Sequence, residues 1–352
     1  MSGAVELAIR TRDRRIDAVH VATRRPRLAP LLAGRPAVDA AIWIETLHAI
    51  CRGAQGAAAR AALAAAGGTE TIAYATGPPD GPAAGVEPRL SVDAVARVEA
   101  AAELAIAALA DDVPTRLAAA RRAAGDPPAL ARLLESELLG EPIDRWLAIT
   151  DERGLAHWAA GTDAPLARAC RRRLGLWEPA AAPIAALPAL AARDTFAAWP
   201  RLDPGFAAAP IFAGGPRETG PIARQGHRPL IAALARRPLL QRWIARLTEL
   251  ALHATGDPEF QCGRLSVASA HGRGRAVVET ARGMLIHDVA VDGGTVLEYS
   301  IVAPTEWNFH PDGAIRHWLL GAPADSIELA RDHARRAAAA LDPCVDCRIT
   351  AG

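Results

Sequence analysis

The sequence has no lysine, few cysteines and few aromatic residues, and these shortages exclude several classes of protein. All 40 basic residues are arginine, and 39 acidic residues leave a formal net charge of +1. A surface that follows nucleic-acid phosphates needs surplus positive charge, so we expect no nucleic-acid partner. Five cysteines in 352 residues are too few for a disulfide framework, which favours reduced thiols and a cytoplasmic location.

Long apolar runs are also missing. No segment reaches the roughly 18 to 20 apolar residues that span a bilayer, and the first fifteen residues lack the apolar core and cleavage site of a secretory signal. We therefore expect no membrane segment. With 51% hydrophobic and 22% charged residues, the composition is that of a globular protein.

The order of the patterns along the chain predicts an α+β fold in a single domain, residues 1–352. It divides into N-terminal strands at 1–26, a mainly helical body at 36–255 with an irregular middle, an antiparallel sheet at 258–304, and a C-terminal helix with a cysteine-bearing tail at 322–352. Helical spacing runs through the segment 36–66. Alternation of β-branched residues and the turn at Asp292-Gly293-Gly294 predict about three strands in the sheet.

The residues that best indicate chemistry are cysteines at the two ends of the chain. Cys51 lies in the first helical segment, and Cys344 and Cys347 form a C-x-x-C in the tail. Such a motif can be a redox pair, half of a zinc site or two structural thiols. This one follows a long helix and a proline, unlike a thioredoxin-type pair, which favours metal binding. Cys170 and Cys262 have no neighbouring His or Cys, and we interpret both as core residues.

Four stretches resemble, in the same order, the large subunit of nickel-iron hydrogenases. They are GRPAVDAAIWIETLHAIC, which ends at Cys51; ETARG, which contains Arg282; APTEWN, which contains Thr305; and DPCVDC, which ends at Cys347. The resemblance extends from near residue 27 to the end of the chain. It implies a trimmed form of that fold, with a mainly helical body and a small antiparallel sheet.

The departures from that family affect nickel more than iron. In the catalytic subunits four cysteines hold nickel, and the second cysteine of each pair also bridges to iron. By the resemblance, Cys51 and Cys347 keep the two bridging positions and Cys344 keeps a nickel-only position. His48 stands in place of the fourth cysteine. The resemblance therefore implies that nickel is not bound.

Proton transfer is affected as well, since the family's proton-gating glutamate would fall near Ala29 or Pro30. Neither side chain carries a proton, and we expect no enzymatic activity. The retained residues suit an Fe(CN)2CO fragment, because soft ferrous iron prefers thiolates. The resemblance implies that Arg282 and Thr305 donate to the cyanide nitrogens, and we add His48 as a further candidate contact.

This combination resembles the hydrogenase-like maturation proteins of the HupK or HoxV type. The resemblance implies a non-catalytic scaffold that holds Fe(CN)2CO transiently and passes it to the catalytic large subunit of a nickel-iron hydrogenase. The maturation chaperones that build the iron fragment would be its other partners. Two alternatives are a metal-free chaperone that mimics the large subunit, and a residual hydrogenase or thiol redox protein that works through Cys344 and Cys347.

Overall fold

The computed structural model describes residues 3–26, 28–48, 50–67, 89–182, 184–189, 194–195, 199, 202–270 and 272–352. The strands are β1 (Ala4–Arg12), β2 (Arg15–Arg24), β3 (Arg89–Val92), β4 (Ala185–Ala186), β5 (Arg217–Glu218), β6 (Arg264–Ala270), β7 (Arg273–Thr280), β8 (Gly283–Asp292), β9 (Thr295–Val302) and β10 (Asp346–Ala351). None of the helices within these ranges is long and apolar enough to cross a membrane.

The α-helices are α1 (Ala37–Leu47), α2 (Arg52–Ala65), α3 (Ala94–Leu109), α4 (Pro114–Ala123), α5 (Pro127–Leu133), α6 (Ile143–Leu147), α7 (Glu152–Gly161), α8 (Pro165–Leu174), α9 (Pro204–Ala208), α10 (Pro221–Gln225), α11 (Pro229–Ala233), α12 (Pro238–Thr255), α13 (Pro304–Asn308), α14 (Ala314–Leu319) and α15 (Ile327–Leu341). A π-helical turn at Leu134–Leu139 continues α5. The predicted α+β class is confirmed.

A three-stranded sheet joins the two ends of the chain. Its order is β10-β1-β2, with β1 antiparallel to β2 and parallel to β10, so that Val5 lies beside Cys347 in the register. The N-terminal hairpin matches the predicted strands. The tail strand β10 was not predicted, because its six residues include three charged or hydroxyl side chains that face solvent and only a short half-buried stripe.

The larger sheet has the order β3-β6-β7-β8-β9, and all of its neighbouring strands are antiparallel. Our expectation of about three strands is therefore wrong, because the segment 264–302 itself forms four strands and β3 comes from far upstream to pair along the edge of β6. The predicted turn is confirmed: Gly293 and Gly294 have φ of 54° and 78°, which the two-residue connection between β8 and β9 requires.

Helix α12 lies at the centre of the helical body and is buried along almost its whole length. Helices α3 to α8 and α11 pack with it into the largest apolar cluster, while α1 and α2 cover one face of the larger sheet. Within the described residues the middle of the chain, 178–224, contains only short elements, as predicted. The Pro/Gly-rich stretch 76–85, which we expect to be a loop, lies outside the described residues.

Candidate functional site

The first helical segment is broken where the candidate site begins. Helix α1 ends at Leu47 and α2 begins at Arg52, and Cys51 caps α2 in the left-handed conformation with φ of 58°. A non-glycine residue seldom adopts this conformation, and such strained positions cluster at functional sites. A continuous helix through 36–66 would place His48 and Cys51 one turn apart on a common face. The break between Leu47 and Arg52 shows that this prediction is wrong.

The start of α2 is held by a carboxylate from α3. Glu99 accepts hydrogen bonds from the backbone amides of Gly53 at 2.9 Å and Ala54 at 3.0 Å. These amides are among those that have no partner inside the helix, and a negative charge at a helix start is favourable. Glu99 therefore fixes the helix end that presents Cys51.

Arg282 connects three distant parts of the chain. It lies in the two-residue turn between β7 and β8, and its Nη1 donates to the Cys51 sulfur at 3.6 Å and contacts Glu103 Oε2 at 2.9 Å. Its Nε lies 3.1 Å from a carboxylate oxygen of Asp342, just before the tail cysteines. Burial disfavours the charged guanidinium, but Asp342, Cys51 and Glu103 outweigh it and raise the pKa of Arg282.

The backbone of Arg282 is clamped from the opposite side. Asn308 donates to the Arg282 carbonyl at 3.2 Å and accepts from the Thr219 amide at 2.9 Å. Gly220 has φ of 100°, and a Cβ there would approach the Arg282 carbonyl oxygen within 2.6 Å. The glycine is required because only a residue without a side chain permits this approach. The clamp sets the direction in which the guanidinium leaves the turn.

Thr305 and Cys344 meet beside Arg282. The Thr305 hydroxyl lies 3.1 Å from the Cys344 sulfur. Cys344 follows α15 in the chain, and Asp342, which caps the end of α15, has φ of 49°. The charges of Cys51 and Cys344 both act on Arg282. Cys51 and Cys344 thus both act on the Arg282 guanidinium, and Thr305 joins this cluster through its contact with Cys344.

The Cys51 thiol favours its neutral form in this arrangement. Burial raises the pKa of Cys51 to about 12, and the Arg282 guanidinium opposes that rise only in part, while negative charge on Cys344 and Glu103 adds to it. Because a metal takes thiolates as ligands, binding at Cys51 must release a proton.

Cys347 has different surroundings. It lies on β10 beside Val5 and packs, half-buried with Ile349 and Ala351, against the apolar cluster formed by β1, β2, α14 and α15. Burial raises its pKa to about 11. Within the part of the chain that the structure describes, no three His, Cys, Asp or Glu side chains are grouped to hold a metal. The three predicted ligands therefore do not form one ligand set here, and the role of Cys347 stays a prediction.

His48 lies on a cavity of about 150 Å³ next to this cluster. Its Nδ1 lies 2.8 Å from the Ile44 carbonyl oxygen and donates to it, which leaves the lone pair on Nε2. Burial lowers the pKa of His48. Ala29 and Pro30, where the family's acid would fall, line the same cavity. The ring nitrogen that can bind a ligand is thus the one that does not hold the helix end.

Two residues of this cavity were missed from the sequence. Arg25 donates to both Glu306 oxygens at 3.0 and 3.2 Å, and Glu306 also accepts from the Ala303 amide at 3.2 Å. Burial opposes the charge of Arg25, but Glu306 and Cys344 raise its pKa. A second cation therefore acts on Cys344. The available signal was Glu306 itself, which stands where the hydrogenase motif V-P-T-T-W-N has threonine.

Comparison with known proteins places these residues in a family. Residues 222–350 match the family model described as "Nickel-dependent hydrogenase". This segment includes Arg282, Thr305, Cys344 and Cys347. The chain is 31% identical over 347 residues to the hydrogenase expression/formation protein HupK of Azotobacter vinelandii, with 98% of this chain and 97% of that protein covered. The chain belongs to the family of hydrogenase expression/formation proteins.

Two further relatives carry the same description. HupV of Azotobacter chroococcum is 31% identical over 365 residues, covering 98% of this chain and 97% of that protein. HoxV of Cupriavidus necator is 34% identical over 239 residues, covering 62% and 61%. Their names describe expression/formation proteins and not enzymes, in agreement with the expectation of a non-enzymatic protein.

Solved hydrogenases share the fold. The Ni-Fe-Se hydrogenase of Desulfomicrobium baculatum superposes with a TM-score of 0.56 at 14% identity, covering 96% of this chain and 95% of that chain. That of D. vulgaris Hildenborough gives 0.55 at 16% identity, covering 95% and 94%. The fold expected from the four motifs is confirmed.

Proposed function

We propose that this protein is a non-catalytic scaffold in the assembly of a nickel-iron hydrogenase. It holds the Fe(CN)2CO fragment as cargo through cysteine thiolates and passes it to the catalytic large subunit. The proposal extends the names of its relatives, which are expression/formation proteins, to a chemical role. Its partners are that large subunit and the chaperones that build the fragment.

One observation carries the proposal: two cysteines from opposite ends of the chain act on the same buried guanidinium. Cys51 lies 3.6 Å from Arg282, and Cys344 bonds with Thr305 at 3.1 Å. Thiolates suit low-spin ferrous iron, and guanidinium and hydroxyl groups can donate to cyanide nitrogens. Both kinds of contact that the cargo needs are thus available in one place.

The electrostatics fit a transient load better than a permanent one. Because burial raises the pKa of Cys51 to about 12, the empty site favours a neutral thiol and the loaded site a thiolate beside Arg282. Loading therefore releases protons and release of the cargo takes them up. Cys347, which lies on β10 beside Val5, is the third thiolate of this proposal.

Infrared spectroscopy of the full chain, co-produced with the maturation machinery and purified without oxygen, tests the proposal. Cyanide and carbonyl stretches should accompany the wild-type protein and be lost in Cys51→Ser, Cys344→Ser and Cys347→Ser. Cys170→Ser is the matched control, because that thiol is buried in the helical core, and it should keep the bands. Loss of the bands in all four variants would instead indicate general destabilisation.

A metal-free chaperone that mimics the large subunit is the second candidate. The observation that favours it is that the described residues contain no preassembled group of three metal-binding side chains. In that case the wild-type protein would copurify with its maturation partners but would show no cyanide or carbonyl bands. A hydrogen-uptake assay on the same sample tests the residual-hydrogenase alternative, which predicts measurable hydrogen uptake.

A further inference from the structure

A second cavity, of about 340 Å³, lies between α8, α12 and α15 and shares no lining residue with the cavity beside His48. Four arginines from these three helices line it: Arg172, Arg173, Arg246 and Arg336. The expression/formation family does not account for this feature, and neither does the proposed cargo site.

Arg246 is the unusual member of the set. Its side chain is buried, with the residue only 6% exposed, and its Nη1 and Nη2 donate to the carbonyls of Ala340 at 2.9 Å and Ala339 at 3.3 Å. Its Nε has no hydrogen-bond partner, and Asp342, the carboxylate whose charge acts on it, is paired with Arg282 at 3.1 Å. Burial and the neighbouring arginines outweigh Asp342, which favours the charged form, and lower the pKa of Arg246 to about 10.

The other three arginines already have acidic partners. Arg172 and Arg173 share the carboxylate of Asp112 at 2.8 and 2.5 Å. Arg336 pairs with Asp332 through Nε at 2.7 Å, yet its Nη1 is buried without a partner. The two unsatisfied donors at this cavity therefore come from different helices, Arg246 on α12 and Arg336 on α15.

Three acidic residues also line the cavity, and none of them pairs with Arg246: Asp112, which Arg172 and Arg173 share, Glu178 and Asp111. Glu178 accepts from the backbone amides of Leu239 and Leu240 at 2.8 and 2.9 Å, where it caps the start of α12. Asp111 is exposed. Because none of these acids accepts from Arg246 Nε, the partner that this donor lacks is a group that enters the cavity from solution.

We propose that this cavity binds a tetrahedral oxyanion, either inorganic phosphate or the phosphate group of a small ester. A planar carboxylate is matched to one guanidinium fork in one plane. The donors here approach from separate helices, which suits an anion whose oxygens point in several directions. The cavity is larger than a phosphate ion, and Leu176, Trp177 and Leu239 line it with apolar surface that fits the organic part of an ester.

Isothermal titration calorimetry on the full chain at constant ionic strength tests the proposal with inorganic phosphate, phenyl phosphate and malonate. We expect saturable binding at one site by at least one phosphate probe, with malonate at least tenfold weaker. Tighter binding of phenyl phosphate than of phosphate would assign an ester, and the reverse would assign the free ion. Absence of saturable phosphate binding, or equal binding of malonate, would overturn the proposal.

Variants separate this cavity from the general charge of the surface. Arg246→Gln and Arg336→Gln should each weaken phosphate binding roughly 10- to 100-fold, the loss expected for one charge-assisted hydrogen bond. Arg331→Gln is the matched control, because Arg331 lies on the same helix and pairs at the surface with Glu328. It should bind phosphate normally, and an equal loss there would contradict the assignment. Since Arg246 also holds the end of α15, Arg336→Gln carries the test if Arg246→Gln does not fold.

Discussion

Arg282 and Arg224 are two buried arginines that each lie near a cysteine and two acidic side chains, yet their surroundings differ. Arg224 forms a two-pronged pair with Glu249, at 2.6 and 2.7 Å, and a third contact with Glu279 at 2.7 Å. Its neighbour Cys262 is fully buried and donates to the Thr280 carbonyl at 3.5 Å. The Cys262 thiol and the Arg224–Glu249 pair are closed to solvent, Glu279 keeps 14% of its side chain exposed, and the charged groups are paired with one another.

The cluster around Arg282 is open by comparison. The side chains of Glu103 and Asp342 are 18% and 21% exposed, and Cys51 and Cys344 are half-buried. A second cysteine and a threonine hydroxyl complete it. Similar residue types therefore serve structure in one place and are available to a ligand in the other. The two clusters differ in the solvent exposure of their thiols and in the second thiol, Cys344, which only the Arg282 cluster contains.

The largest effect is expected from Arg224→Met. This change leaves the buried Glu249 carboxylate without its cation, which should lower the free energy of unfolding by about 3–5 kcal/mol. Urea unfolding followed by circular dichroism measures it, with the exposed Arg331→Gln as the control. A loss below about 1 kcal/mol, the scale of surface pairs, would contradict the structural role of this cluster.

Arg282→Leu should reduce binding of the cargo and leave the stability of the fold nearly unchanged. It removes donors to the cargo while leaving Glu103 and Asp342 partly solvated, so the fold should persist and retention of the iron fragment should fall roughly 10–100-fold. The ratio of infrared bands to protein measures retention, and urea unfolding reports stability. If the variant holds the fragment as well as the wild type, the assignment of Arg282 to the cyanides is wrong.

The reactivity of the two cysteines, Cys51 beside Arg282 and Cys262 beside Arg224, should also differ between the two clusters. Burial raises the pKa of Cys51 from 9.0 to about 12, and the reacting species is the thiolate. Its alkylation by iodoacetamide in the folded protein should therefore be slow at pH 7 and rise with pH toward 12. Folding favours the neutral thiol of Cys51. The contribution of this thiol to the free energy of unfolding is therefore complete below pH 9 and is lost between pH 9 and about 12.

Cys262 provides the contrast within the same sample. Its thiol should not react at any pH at which the chain remains folded, because it has no exposed surface. Mass spectrometry of peptides after alkylation, with and without urea, compares the two sites. Equal modification of Cys51 and Cys262 in the folded protein would remove the distinction between an open and a closed cluster.

The smallest effect is expected from His48→Cys. Restoring the fourth cysteine should not give hydrogen uptake, because Ala29 and Pro30 supply no proton acceptor and Glu306 is held by Arg25. Positioned acid-base groups contribute roughly 10²–10⁴-fold in rate. Hydrogen-dependent dye reduction above that of a Cys347→Ala control would show that the site retains catalytic capacity.

Sequence patterns predicted much of this molecule where the determinants are local. Asp93 caps α3 by accepting from Ala96 at 2.8 Å, as expected for a helix beginning there. Gly293-Gly294 gave the hairpin turn. The break at Cys51 was not predicted, because helical periodicity continues through it and the left-handed turn depends on Glu99 from another helix.

The sequence by itself determined the fold class, the family motifs and the identity of the three candidate cysteines, since these depend on residue types and their order. Only the tertiary structure decided which cysteine meets Arg282, that Arg25 and Glu306 lie beside His48, and that Cys347 packs on β10. Those contacts join segments up to hundreds of residues apart. Burial and electrostatics depend on distance in space, and no spacing along the chain specifies them.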